Sequence, residues 1–129
     1  MDSYKYLYHG SPMKLDKLIP NQAYDIGFSE GCQKAVYATD NKNMAICFAL
    51  GCVDEREDAL RQMMPEYGDK MLFRGCHPNY AGKGYLYYLD KSKFEHTMGS
   101  QWVCREEIVP EKVEEIEVDK YLELCIIED

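Results

Sequence analysis

The chain has 129 residues, the size of one domain built around a single core, and its 46% hydrophobic content excludes a disordered polymer. The formal charge of −8, from 23 acidic and 15 basic residues with no Lys/Arg block, argues against nucleic acid as the principal partner. No apolar run approaches the roughly 20 residues of a membrane helix, and "MDSYKYLY" lacks a basic-then-apolar leader pattern, so a cytoplasmic protein is expected.

In chain order, "YKYLYHG" reads as a strand, with Tyr and Leu alternating against partly polar neighbours. "SPMKLDKLIP" is an edge segment or turn closed by Pro20. "NQAYDIGFSEGCQK" holds two glycines and no apolar period, which marks a loop. "AVYA" is a short strand, and Thr39 or Asp40 is placed to cap a helix over about 41–51. The i, i+3, i+4 rule sets Met44, Cys47 and Phe48 on one face of that helix, with Gly51 as its stop. "DEREDALRQMM" predicts a second helix, with acidic residues in its first turn, ending at Pro65.

Beyond Pro65 the chain is β-rich. "KMLFRG", "GYLYYLD" and "SQWVCREEIV" predict strands, while "VEEIEV" and "YLELCII" fit either strands or helices. Early strands, two helices and a run of strands predict an α+β domain over 1–129, with helices on one or two small antiparallel sheets. The acidic stretch from Glu106 to Asp129 is a solvated face. Trp102, Tyr85, Tyr87 and Tyr88 are expected in the core, His77 and His96 at the surface.

Six cysteines stand at 32, 47, 52, 76, 104 and 125. Without a secretory context, and with Cys47 and Cys52 in or beside an apolar stretch, they predict free thiols rather than disulfides. No C-x-x-C or H-x-x-x-H pair is present, and Cys76-His77 is the only close pair, so no metal is expected.

"YHGS", followed by "VYAT" and the helix "NKNMAICFAL", resembles the ADP-ribosyltransferase fold. The resemblance is to its diphtheria-toxin/poly(ADP-ribose) polymerase branch, whose signature is a His-Tyr-Glu triad. It runs through nearly the whole chain in element order, though only about ten residues carry the motifs. It implies split small antiparallel sheets with flanking helices and NAD as substrate. It also implies that His9 bonds a ribose hydroxyl, the Gly10 backbone pairs with the nicotinamide carboxamide, Ser11 offers a hydroxyl, and Tyr37 stacks on the nicotinamide ring.

The implied reaction cleaves the nicotinamide–ribose bond through an oxocarbenium-like transition state, and residues 21–34 would be a lid. The third residue departs from the family, since "SQWVC" puts Gln101 where Glu is expected. Glu107 in "CREEIVP" is the alternative; one strand over 101–108 would set both on one face, about 20 Å apart, which does not decide between them, and Gln101 is favoured because it lies at the strand's start. With Gln101 there, polymer formation is not expected. Mono-transfer to a protein or small molecule, NAD hydrolysis and NAD binding stay open, as does a non-catalytic nucleotide- or protein-binding role. "GSQWVCREEIVPEKV" also resembles the RNA 2′-phosphotransferase branch, whose arginines and second histidine have no counterpart beside His9 or Tyr37.

Overall fold

The computed structural model describes residues 6–22, 34–68 and 70–128. The strands in chain order are β1 (Tyr6–Ser11), β2 (Asn21–Gln22), β3 (Lys34–Thr39), β4 (Val53–Asp54), β5 (Leu60–Met64) and β6 (Lys70–Arg74). They continue with β7 (Cys76–His77), β8 (Lys83–Asp90), β9 (Glu95–Met98), β10 (Gln101–Cys104), β11 (Lys112–Glu117) and β12 (Cys125–Glu128); α1 is Lys42–Ala49. This is a mixed, strand-rich architecture compatible with the α+β class. No described helix is long and apolar enough to cross a membrane.

The main sheet is antiparallel in the order β11-β8-β1-β3-β10-β9, with β2 pairing against the start of β3. A second sheet has the order β12-β6-β5, in which β12 runs parallel to β6, and β4 pairs with β7 as a short ribbon. Alternation along the central strands divides two clusters. Tyr8 and Leu86 face α1 and meet Ile46, Leu50, Met71 and Phe73. Leu7, Val36, Ala38 and Tyr87 face the other way with Leu18 and Ile108. Leu7, Phe73, Leu86 and Tyr87 are fully buried, and each such aliphatic or Phe side chain is worth about 1.5–3 kcal/mol.

Two glycines let α1 lie directly on the sheet. A Cβ on Gly10 would meet the Ala45 carbonyl oxygen at 1.7 Å, and one on Gly84 would meet that of Ala49 at 1.8 Å. The helix therefore rests backbone to backbone on β1 and β8. Its enclosed residues are Ala45, Ile46, Cys47 and Ala49, with Met44 and Phe48 half-buried at the margin of the predicted face. Asn41 is the N-cap, not Thr39 or Asp40: its side chain accepts from Met44 N at 3.2 Å. Thr39 Oγ1 instead accepts from Asn41 N at 3.0 Å. Gly51, with φ +74°, follows the helix end as expected.

The second predicted helix is absent. Its segment gives β4, a bend and β5, which pairs antiparallel with β6 from Leu60↔Arg74 to Met64↔Lys70. A short connection through Pro65–Tyr67 makes that hairpin local, and pairing overrides a weak helical preference. The strand predicted over 100–109 stops at Cys104, because residue 108 turns aside to bridge Leu18. "VEEIEV" is extended, whereas most of "YLELCII" is 3-10 helix before β12.

Candidate site at the β1–β3 seam

β1 and β3 are neighbours, yet they pair at one register, Tyr8↔Thr39, whereas β1 pairs with β8 along all six of its residues. From His9 onward the two strands part. His9 spans the gap: its Nδ1 lies 2.7 Å from the Tyr37 carbonyl oxygen. A carbonyl only accepts, so Nδ1 carries the proton and Nε2 keeps its lone pair. Burial pushes the imidazole below its ordinary pKa of 6.5, opposed by the bond to Tyr37. The ring is thus neutral near pH 7, with one acceptor to offer.

The His9 bond also fixes the orientation of the surrounding backbone. The Tyr37 carbonyl is turned toward β1, so strand alternation turns Thr39 toward Tyr8 and turns residue 40 toward β10. Asp40 N donating to Ser100 O at 3.3 Å agrees with this. Two residues beyond Tyr8, the N–H and C=O of Gly10 then face the gap from which β3 has withdrawn. The opening presents one peptide donor and one peptide acceptor.

Side chains at the seam divide between the two faces. By register, Tyr37, Thr39, Gln101 and Val103 share the α1 face with Tyr8 and Gly10. His9 and Ser11 are on the other. There a cavity of about 290 Å³ is lined by His9, Tyr37, Leu15, Lys17, Leu18 and Val36, among others. Its loop wall is held by Tyr87, whose hydroxyl accepts from Leu15 N at 2.6 Å and donates to Met13 O at 2.9 Å. Ser11 Oγ accepts from Met13 N at 3.1 Å, closing the turn after β1.

The two candidates for the third position are in different places. Gln101 opens β10 opposite Thr39, and its Nε2 is buried with no hydrogen-bond partner among the described residues. Glu107 lies beyond the strand and pairs with Lys17 at 2.9 Å, at the rim of the cavity on the His9 face. His9 and Tyr37 therefore come together through a backbone carbonyl, Gly10 adjoins them, and Gln101 and Glu107 fall on opposite faces. The sequence does not mark Lys17 and Leu18, which line the cavity, or Tyr87, which holds its loop wall, because loop closure and strand register place them there. The lid segment lies, apart from Asn21, Gln22 and Lys34, outside the described residues.

Elsewhere, Trp102 is half-buried rather than enclosed, donating Nε1–H to Asp40 at 3.2 Å, while His96 packs on it with ring centroids 4.7 Å apart. The described cysteines are free thiols, and Cys32 lies outside the described residues. Partial desolvation of its sulfur pushes the thiol of Cys52, otherwise an exposed residue, up to about 12, with hydrogen bonds to Cys76 and Asp54 adding to the rise. A thiol so raised is not an activated nucleophile at neutral pH.

Fold and site together describe a mixed, strand-rich protein, compatible with the α+β class, whose main sheet opens at a His-Gly step beside a small cavity. No family model, curated protein or solved structure matches the chain.

Proposed function

We propose that this chain is a mono-ADP-ribosyltransferase-like protein that binds the nicotinamide end of NAD at the β1–β3 seam. The feature that carries the reading is Gly10, whose peptide N–H and C=O strand alternation turns toward the gap beside His9. A primary carboxamide needs one acceptor and one donor in that arrangement. The cavity, about 290 Å³, is near the lower bound of small-molecule pockets, about 300 Å³, and takes one end of a dinucleotide rather than the whole. His9 Nε2 accepts from a ribose hydroxyl.

The reaction breaks the C1′–nitrogen bond of the nicotinamide riboside. Nicotinamide leaves with the bonding electron pair, and an oxygen or nitrogen nucleophile of a protein or small-molecule acceptor attacks C1′ and gives up its proton. Chemistry of this kind gains from negative charge beside the developing oxocarbenium. Gln101 supplies none, and the Glu107 carboxylate is engaged by Lys17. That favours, as a second reading, a non-catalytic protein that binds NAD or another nucleotide.

The test is thermal unfolding with NAD and nicotinamide, followed by nicotinamide release from labelled NAD. Both ligands should raise Tm, and His9→Ala should abolish the rise. Release that increases in Gln101→Glu supports the transferase reading. No stabilisation at millimolar NAD rejects the site. Binding without release in either Gln101→Glu or the wild type leaves the non-catalytic reading.

A further inference from the structure

The β4–β7 ribbon joins the exit of α1 to the second sheet, and its register sets Asp54 opposite Cys76 and Val53 opposite His77. Cys52, two residues before Asp54, shares the face of Asp54 and Cys76. The Sγ atoms of Cys52 and Cys76 and a carboxylate oxygen of Asp54 all lie within 4.8 Å of one another. Cys52 Sγ already donates to Asp54 Oδ1 at 3.4 Å.

We propose that Cys52, Asp54 and Cys76 form a binding site for one thiophilic divalent cation of the zinc class, with a fourth position open to water. The site is independent of the NAD reading. Metal–sulfur bonds of about 2.3 Å and metal–oxygen bonds of about 2.1 Å place tetrahedral ligand atoms about 3.6–3.8 Å apart. Small side-chain rotations take the three groups there from their present spacing. The competing product, a disulfide, is disfavoured by the diagonal relation of the two cysteines. Diagonal partners across an antiparallel pair have Cα atoms about 7–8 Å apart, beyond the ~6.8 Å limit of ordinary disulfides.

Access and charge agree with a bound cation. Cys52 and Asp54 are exposed while Cys76 is buried, so the ion enters from solvent onto an inner anchor. Cys76 gives up a weak bond, its Sγ–H donating to Leu60 O at 3.4 Å, when the thiol becomes a ligand. Two thiolates and a carboxylate leave the divalent complex with one negative charge, which the positive charge of Arg61 near Cys52 offsets. A cation here would tie a two-residue ladder, a marginal element by itself, to the end of α1.

The test titrates Co²⁺ into the reduced full chain and follows the thiolate-to-cobalt charge-transfer band in the near ultraviolet, then displaces the cobalt with Zn²⁺. One Co²⁺ per chain should bind with an intense band, and Zn²⁺ should remove it and raise Tm. Cys52→Ser should lose at least half the band, and Asp54→Asn should weaken affinity tenfold or more. Both positions are exposed, so these variants remain informative if Cys76→Ser does not fold. Cys125→Ser, outside the cluster, should bind as wild type. Absence of the band, a band unchanged in Cys52→Ser, or a Cys52–Cys76 disulfide formed by mild oxidant in a chain that gives no band would overturn the proposal.

Discussion

Replacing Gly10 with alanine adds one methyl group at the point where α1 touches β1, and it tests how the cleft is built. The new Cβ would sit 1.7 Å from the Ala45 carbonyl oxygen and 3.0 Å from the Ala49 nitrogen. Ordinary contact begins near 3.4 Å, so the helix must withdraw by more than an ångström. Both partners are backbone, and no side-chain rotation relieves the clash. Overpacking a core costs about 1–3 kcal/mol, occasionally more, and a rigid backbone clash belongs at the top of that range. Unfolding entropy of about 2.1 cal/mol/K per residue over this chain converts 3 kcal/mol into a Tm loss of about 11 °C.

Gly68 is the control. It has φ +83° and nothing within 4 Å of its missing Cβ, so Gly68→Ala meets backbone strain alone. That strain is about 1 kcal/mol, or roughly 4 °C on the same conversion. Circular dichroism melts and urea titrations measure both variants. If Gly10→Ala loses no more stability than Gly68→Ala, α1 does not rest on β1 as described.

Two further outcomes follow from the same interactions. The folded-state pKa of His9 lies below its ordinary 6.5, so in the window beneath 6.5 the unfolded chain binds a proton that the folded chain refuses. The contribution of neutral His9 is whole above 6.5 and is lost as pH falls; urea titrations between pH 7.5 and 5 should show this decline, with a smaller slope in His9→Gln. Equal slopes, or stability that rises on acidification, would contradict the burial of a neutral ring. Asn41→Ala should cost about 1 kcal/mol through loss of the cap to Met44 N, whereas Asp40→Ala should leave α1 capped, as separate melts will tell.

The parts of the fold legible in the sequence are those where pattern and tertiary demand agree. "GYLYYLD" and "KMLFR" are dense in β-prone residues that the sheets bury, and they became β8 and β6. "DEREDALRQMM" misled because its acids and unbranched residues suit a helix, while Leu60–Met64 forms an edge strand whose first three residues are exposed. An edge strand needs little of its own sequence when its partner follows directly after the single turn at Pro65–Tyr67.

The candidate site was legible to a similar depth. His9 and Tyr37 stand out in "YHGS" and "VYAT", and the structure, which sets both inside their strands rather than at the ends, joins them through a hydrogen bond. Their placement on opposite faces was not, since it depends on the Tyr8↔Thr39 register. Nor was the Cys52–Asp54–Cys76 cluster, whose Cys76 stands more than twenty residues beyond the other two and meets them only through a two-residue ribbon. Spacing rules detect ligands on one turn or knuckle and miss those gathered by strand pairing.

The most direct measurement is the amide proton–nitrogen spectrum of the labelled protein titrated with nicotinamide. Binding at the seam predicts that the Gly10 amide shifts progressively and to saturation, with His9 and Tyr37 moving beside it. Saturable shifts confined to other regions, or an unmoved Gly10 amide at millimolar nicotinamide, would contradict a carboxamide site between β1 and β3.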